Sequence, residues 1–312
     1  MVASNERGRA LELVVAEDVF ALAEKSGLSV RFTERAKIQN MRQKAYFEEL
    51  DGETKDNFKS CSETFNKWLL QQEWIGNSKE LVIDRIPDNE AKENVEVTDL
   101  RLYFLSKEGK KFQKDFSIKN NSDSLCHPRL PSLPESCGIK DETISGEYRK
   151  KYRAVWESFG KRLKSLDKAP LTFSELDSKN EDFRVDWLYS PLQKLAVEFL
   201  SRYCNDKGAA EALFTYLTGK GDYYVVKNSK TRIEIKHFSS IPKPTSFKIT
   251  YPFMSKSYFL LEFDNGWKIR VRIHNASSRL FKKDGSINAT EKEDPICQNI
   301  EKVIKIEKIL KN

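Results

Sequence analysis

The spacing of apolar residues changes period along this chain, and that change limits the folds available to it. Over the first 75 residues, apolar side chains recur at helical spacing. The pattern predicts helices at Gly8–Ser26, Thr33–Leu50 and Lys55–Trp74, with Gly27 as a C-terminal cap. The period then becomes two, which predicts strands at Leu81–Arg85, Val95–Leu105 and Lys111–Lys119. The order indicates an α/β protein with a central mixed sheet flanked by helices.

The second half of the chain repeats this alternation. Asn120–Ser145 contains several prolines and serines and is predicted to be a long ordered loop or lid. Helices are predicted at Glu147–Leu166, Ser190–Cys204 and Ala209–Leu217. A β-rich block then comprises Tyr223–Lys227, Thr231–Phe238, Ser246–Tyr251, Tyr258–Phe263 and Trp267–His274, and its last two strands are joined by Asp264-Asn265-Gly266. Asn-Gly predicts a hairpin with a type I′ turn. The tail, Ile296–Asn312, is compatible with a strand or a helix.

We therefore expect residues 1–145 to form a core of N-terminal helices and sheet, and residues 146–312 to form a helical connector followed by a β-rich region. One continuous domain is the alternative. The lengths of both parts are ordinary for domains.

Composition indicates which binding partners and which cellular compartment to expect. The formal net charge of +7, with 54 Lys and Arg residues, favours a polyanionic partner over an acidic one. Five cysteines without a CxxC pair argue against a disulfide framework or a zinc ribbon and indicate reduced thiols in a cytoplasm. The sequence shows no signal peptide and no membrane span, so no membrane partner is expected.

An aspartate and a lysine lie on two adjacent predicted strands. Asp99 is on the first, and Lys119 is near the end of the second. A carboxylate and a lysine so placed resemble the core of the PD-(D/E)xK nucleases. Such a pair also arises by chance in many proteins, so the motif needs further support.

The turn between the two strands decides whether Asp99 and Lys119 meet. A three-residue loop, with Gly109 in the left-handed conformation it tolerates, places Asp99 opposite Ser117 and Lys119 diagonally across on the same face. A two-residue loop would place Asp99 opposite Ile118 and separate the pair.

The residue types suit phosphodiester hydrolysis. Asp99 can supply an anionic oxygen to Mg²⁺, and Lys119 can orient the attacking water and stabilise the negative charge that develops. Ser117 occupies the position where these nucleases usually carry Asp or Glu, so a second carboxylate must come from elsewhere. The first candidate is Glu12 on the first helix, as a catalytic residue and metal ligand beside Asp99, and the runner-up is Asp115. The alternative to a metal ligand is that Glu12 is an ordinary exposed glutamate on the surface of the helix.

Five segments, in matching order and spacing, are similar to the HaeIII family of type II restriction endonucleases. They are Gly8-Arg9-Ala10-Leu11-Glu12, Asp99-Leu100-Arg101, Ser117-Ile118-Lys119-Asn120-Asn121, His127-Pro128-Arg129-Leu130 and Trp267 through Arg279. The likeness covers most of the chain, with dissimilar stretches between these anchors. The chain departs from the family at two positions, where the family often carries a histidine in place of Ser122 and a lysine in place of Cys126. Both departures leave the recognition sequence open.

The resemblance implies a PD-(D/E)xK core and a Mg²⁺-dependent enzyme of the cytoplasm. Such an enzyme cuts unmodified double-stranded DNA at a short palindrome, GGCC in the best-known members, and leaves 5′-phosphate and 3′-hydroxyl ends. A homodimer would match the palindrome. A cognate methyltransferase acts in the same system without stable binding. A serine at position 117 is normal for the family.

Residues expected to contact DNA follow the catalytic strand and the last hairpin: Asn121, His127, Arg129, His274, Asn275, Ser277, Ser278 and Arg279. Their types suit base edges and phosphates, although each could also be an ordinary loop residue. A further set alternates on strands and either lines a phosphate-binding face or is merely solvated: Lys227, Arg232, Lys236, Lys268, Arg270 and Arg272.

Two other functions remain open. A repair or junction-resolving nuclease of the same superfamily would cut by DNA structure rather than sequence. A non-catalytic DNA-binding module would bind DNA with a steep salt dependence and never cut it.

Overall fold

The computed structural model describes residues 4–87, 96–121, 130–167, 170, 172–229, 232–239, 241–251, 258–273 and 280. By its internal contacts the chain divides into two compact units. The first comprises residues 1–123 and 220–241, and the second comprises residues 124–219 and 242–312. The division of the chain into two domains at residue 145 stays a prediction.

The first unit is a six-stranded mixed sheet with helices against it. Its helices are α1 (Ser4–Lys25), α2 (Glu34–Glu48), α3 (Gly52–Leu70) and the short α4 (Glu73–Gly76). Its strands are β1 (Ser29–Phe32), β2 (Ser78–Arg85), β3 (Leu100–Ser106), β4 (Lys111–Asn120), β5 (Tyr223–Asn228) and β6 (Ile233–Phe238). The α/β class and the mixed sheet predicted from periodicity are confirmed.

Strand order in this sheet follows chain order, β1-β2-β3-β4-β5-β6. The β1–β2 and β4–β5 pairs are parallel, and the other three pairs are antiparallel. The parallel β4–β5 pair requires a crossover, and the chain supplies it by leaving the sheet after β4 and returning about a hundred residues later.

One face of the sheet and the helices form the core. Alternate residues of the central strands are buried on this face, including Leu81, Ile83, Leu100, Leu102, Phe116 and Val226. They pack against apolar residues of α1 and α3, including Leu11, Val15, Phe58 and Phe65. Since side chains alternate between faces along a strand, the residues between these core positions lie on the opposite face.

The N-termini of the helices agree with capping chemistry. Thr33 precedes α2, and its hydroxyl accepts a hydrogen bond from the Ala36 amide at 3.2 Å. The same hydroxyl donates to Asp84 at the end of β2, and the Arg35 guanidinium binds this carboxylate too. Burial raises the pKa of Asp84, but the hydrogen bonds from Arg35 and Thr33 outweigh it and hold the pKa below its ordinary value. This carboxylate therefore stays charged and ties α2 to β2.

The second unit contains helices and a separate three-stranded sheet. Its helices are α5 (Leu133–Ser136), α6 (Glu142–Lys164), α7 (Phe173–Lys179), α8 (Ser190–Tyr203) and α9 (Lys207–Thr218), with a 3₁₀ turn at Leu130–Ser132 and a π-helical turn at Val185–Tyr189. The antiparallel sheet runs β7 (Phe247–Thr250), β8 (Tyr258–Phe263) and β9 (Lys268–Arg272).

Three sequence expectations need correction. The predicted β-rich block is not one sheet, because its first two strands pair with β4 and only the last three form a sheet of their own. Residues 130–145, expected as loop, are partly helical, since proline is tolerated in the first turn of a helix. The hairpin at Gly266 has no type I′ turn: only Gly266 has positive φ, 85°, and Phe263 pairs with Trp267 around a three-residue loop.

Short elements escaped the sequence prediction. Strand β1 has four residues and helix α7 has seven, too few for a period to emerge. In the described residues, no helix combines the length and apolar character required to cross a membrane. The tail, residues 296–312, lies outside the described residues.

Candidate active site

The turn between β3 and β4 has the form that the Asp99–Lys119 pair requires. Ser106 and Lys110 close a three-residue loop, with the Ser106 amide donating to the Lys110 carbonyl at 2.9 Å. Gly109 has φ of 85°, the left-handed conformation that favours glycine. Leu100 pairs with Phe116, so Asp99 faces Ser117 one step further along the ladder. The predicted turn and register are confirmed.

Asp99, Ser117 and Lys119 meet at the end of this strand pair. The Asp99 Oδ2 atom accepts hydrogen bonds from the Ile118 amide at 2.7 Å and the Ser117 hydroxyl at 3.1 Å. The Lys119 ammonium lies 3.4 Å from the same oxygen. Strand β3 begins only after Asp99, so its carboxylate takes the place of a backbone acceptor for the Ile118 amide. Three donors thereby hold one carboxylate oxygen.

The other oxygen of this carboxylate, Oδ1, has no hydrogen-bond donor within the described ranges. The side chains of Asp99 and Lys119 are 20% and 17% exposed, so solvent reaches both. A half-buried carboxylate with one engaged and one open oxygen can bind a hard cation through the open oxygen.

The runner-up second carboxylate, Asp115, is engaged elsewhere. Arg101 donates to both of its oxygens, at 2.7 and 2.9 Å, and also donates to Glu96 at 2.9 Å. The hydrogen bond to Asp115, followed by the charges of Asp115 and Glu96, raises the pKa of Arg101, although burial opposes the shift. Such a bidentate pair leaves Asp115 little capacity for a metal.

Glu12, the first candidate, is also in an ion pair. Its Oε2 accepts a hydrogen bond from the Arg85 guanidinium at the end of β2, and Arg85 is completely buried. Arg85 pairs with Leu100, the residue after Asp99, so Glu12 lies at the same end of the sheet as Asp99. Arg85 and Leu100 occupy the face that packs against the helices, whereas Asp99 occupies the opposite one. Glu12 and Asp99 therefore share one end of the sheet but approach it from opposite faces.

Arg85 joins three elements through its side chain. Besides Glu12 on α1, it donates from Nη1 to the side-chain carbonyls of Asn40, at 3.0 Å, and Gln43, both on α2. Its Nε has no acceptor among the described residues. One signal of this role is present in the sequence, since Asp84 and Arg85 are charges that directly follow the apolar run Leu81–Ile83, but the partners of Arg85 could not be inferred.

A cation at this site would bind Asp99 through its open Oδ1 atom, and it would have to share the carboxylate of Glu12 with Arg85. In the described residues, no group of three His, Cys, Asp or Glu side chains forms a metal cage. Mg²⁺ does not require one, because it usually keeps several waters and binds one or two carboxylates together with substrate phosphates. The residues present are compatible with that mode.

Of the residues expected to contact DNA, only Asn121 lies in the described part of the chain. It follows β4 directly, is exposed, and adopts a left-handed φ of 52°. Its amide donates to the Asn228 carbonyl at 2.7 Å. The other seven lie outside the described residues: His127, Arg129, His274, Asn275, Ser277, Ser278 and Arg279.

The three-stranded sheet of the second unit has one apolar and one basic face. Phe259, Leu261 and Val271 are buried on the first. The other face carries Lys248, Thr250, Tyr258, Lys268 and Arg270 around Glu262, which lies in register with Lys248 and Lys268, and Arg270 lies over the Tyr258 ring at 5.3 Å. Cations interleaved with an aromatic ring are compatible with a nucleic-acid backbone.

No protein-family model matches this chain, and none of the curated proteins is significantly similar to it. The likeness to the HaeIII family therefore stays a prediction, and the geometry described above is the basis for any assignment of function.

We expect Arg85→Met to lower the free energy of unfolding by about 3 kcal/mol, because it leaves Glu12, Asn40 and Gln43 without their shared donor. Urea unfolding measures the change. The control is Arg31→Met, which removes an exposed pair with Glu80 at 3.6 Å and is expected to change stability by less than about 0.5 kcal/mol. Equal effects from the two substitutions would contradict the anchoring role of Arg85.

Proposed function

We propose that this protein is a Mg²⁺-dependent endonuclease of the type II restriction class, which hydrolyses phosphodiester bonds in double-stranded DNA. The observation that carries the proposal is the Asp99 carboxylate at the start of β3, held by the Ile118 amide and facing Lys119 on the same side of the sheet. On this basis we assign the first unit to the PD-(D/E)xK class. The net charge of +7 and the sequence resemblance add support.

Each residue has a distinct task in this proposal. Mg²⁺, when bound, supplies positive charge to the scissile phosphate and lowers the pKa of the attacking water. Asp99 would bind the cation, since Oδ1 has no donor in the described structure, and Ser117 would hold the carboxylate in place through its bond to Oδ2. The Lys119 ammonium would orient the water and stabilise the negative charge that develops on the phosphate. Glu12 is the proposed second ligand.

The first experiment tests cleavage itself. Wild type is incubated with unmethylated phage DNA and Mg²⁺, and the fragment ends are sequenced. We expect discrete bands that share one short palindrome. Cutting that follows DNA structure would indicate a repair or junction-resolving nuclease, and tight binding without cutting would indicate a binding module.

We expect Asp99→Asn to abolish cleavage, because the amide can still accept from Ile118 but supplies no anionic oxygen. Lys119→Ala is expected to lower the single-turnover rate by at least about a hundredfold, the effect of removing one charge-stabilising donor. Binding of duplex DNA without metal should persist in both. Lys111→Ala, at the exposed far end of β4, is the matched control and should cut normally. Robust turnover by Lys119→Ala would contradict the assignment.

Glu12 and Asp115 are distinguished by the Mg²⁺ dependence of the rate. If Glu12 is the second ligand, Glu12→Gln raises the Mg²⁺ concentration for half-maximal cleavage by about tenfold or more, whereas Asp115→Asn leaves it unchanged. A substitution that only disturbs the fold would lower the maximal cleavage rate without changing the Mg²⁺ concentration for half-maximal cleavage. The reverse pattern would transfer the role to Asp115.

A palindromic site presents the same contacts twice, so we propose that a two-fold homodimer binds it. Sedimentation of the protein with a duplex that contains the mapped site is expected to give a mass of two chains per duplex. One chain per duplex at saturating protein would contradict the dimer.

A further inference from the structure

The strand that carries Lys119 extends beyond its neighbour on one side. The ladder between β3 and β4 ends at Phe116, and past this residue the Asp99 side chain binds the Ile118 amide. On the other side, β4 stays paired with β5 as far as Asn120. The backbone around Lys119 is therefore held in the sheet by β5 rather than by β3. The position of this lysine thus depends on how the ends of β4 and β5 are joined.

One side chain at this end of the sheet joins three elements. Asn228, the last residue of β5, is fully buried and lies in register with Asn120. Its Nδ2 atom donates to the Oδ1 atom of Asn57 on α3 at 2.7 Å and to the Oδ1 atom of Asn120 at 3.3 Å. Because an amide nitrogen has two hydrogens, one group can serve both acceptors. Helix α3 and the end of β4 are thereby tied to β5.

The backbone of Asn228 holds the point where β4 ends. Its carbonyl accepts a hydrogen bond from the Asn121 amide at 2.7 Å. Asn121 has a left-handed φ of 52°, a conformation that asparagine adopts more readily than most residues, and strand β4 ends directly before it. The two residues after Lys119 are therefore both bound by Asn228, one through its side chain and one through its main chain.

The buried amide acts from behind the candidate active site. Asn120 and Asn228 point toward the helices, whereas Lys119 points to the face that carries Asp99, because neighbouring residues of a strand alternate between faces. The Lys119 ammonium is 3.4 Å from the Asp99 carboxylate, and a small shift of the end of β4 would change this distance. Misplacement of a catalytic group by about 1 Å can lower a rate by about a hundredfold.

We propose that Asn228 is a positioning residue, which holds the end of β4 so that the Lys119 ammonium faces the phosphate bound beside Asp99. This inference rests on the proposed function. Asn228 is fully buried on the helix side of the sheet, so it contributes by fixing the backbone from which Lys119 projects. The rate of the chemical step, rather than the affinity for DNA, should therefore depend on it.

The test compares two substitutions of the same chemical kind. Asn228→Asp keeps the shape of the side chain but removes both donors, whereas Asn57→Asp keeps an oxygen that can still accept from Asn228. Single-turnover cleavage at saturating DNA and Mg²⁺ gives the rate, and anisotropy with a labelled duplex in EDTA gives the Kd. We expect Asn228→Asp to lower the rate by about tenfold or more without changing the Kd. Asn57→Asp should cut at nearly the wild-type rate.

A double-mutant cycle distinguishes positioning of Lys119 from a general loss of structure. If Asn228 acts through Lys119, Asn228→Asp lowers the rate of wild type but changes the rate of Lys119→Ala by less than about twofold. A general disturbance of the fold would lower both rates by the same factor.

The matched control is Asn66→Ala, which removes another asparagine hydrogen bond of α3, from Nδ2 of Asn66 to the Asp18 carbonyl on α1 at 3.2 Å. It should leave the cleavage rate unchanged. Asn228→Leu, similar in shape and uncharged, should reproduce the loss seen in Asn228→Asp. Thermal unfolding verifies that each variant is folded. If neither Asn228 variant folds, Asn57→Leu removes the acceptor on α3 at a half-buried position and should lower the rate.

The outcomes separate this inference from the proposed function. If wild type cuts DNA while the Asn228 variants, or Asn57→Leu in their place, cut at the wild-type rate, the inference is overturned and the proposed function stands. An equal rate loss in Asn57→Asp, in Asn66→Ala or in the Lys119→Ala background would also overturn it. If wild type does not cut DNA, both proposals fall.

Discussion

The buried guanidinium of Arg85 is the interaction on which the arrangement of the first unit depends. A fully buried charge is costly unless partners surround it, and Arg85 has Glu12 from α1 and two amide side chains from α2. It therefore holds both helices against the end of β2. Asp84, the preceding residue, adds a second ion pair to the start of α2. Because β2 pairs with β3 at the residue next to Asp99, the same network supports the strand that carries the candidate active site.

This anchoring changes how Glu12 is understood. An acidic residue on the first helix suggested a metal ligand, and the structure gives it a partner that any cation would have to share. Asp115 presents the same situation with Arg101. Both carboxylates considered as second metal ligands are thus compensated by arginines.

Much of the fold and part of the site could be predicted from sequence. Long helices and strands follow from period alone, and the three-residue loop at Gly109, one of two loops considered from sequence, gives the register that joins Asp99 to Lys119. Local sequence patterns did not predict features that depend on contacts between residues far apart in the chain. Nothing near Tyr223–Asn228 indicates that this strand pairs with β4 rather than with β7. Similarly, the partners of Arg85 and the position of Lys227 beside Lys119 are set by contacts between residues far apart in the chain.

The return of β5 to the sheet has a consequence for how the protein is synthesised. Asn120 and Asn228, which touch at the end of the β4–β5 pair, are 108 residues apart. During translation β4 is made long before its neighbour, so it must wait as an uncovered edge, a state that invites pairing with other chains. Closing so long a loop also slows folding. The face that carries Asp99 and Lys119 gains its last two strands, β5 and β6, only when the ribosome has passed residue 238, so shorter nascent chains lack one or both of them.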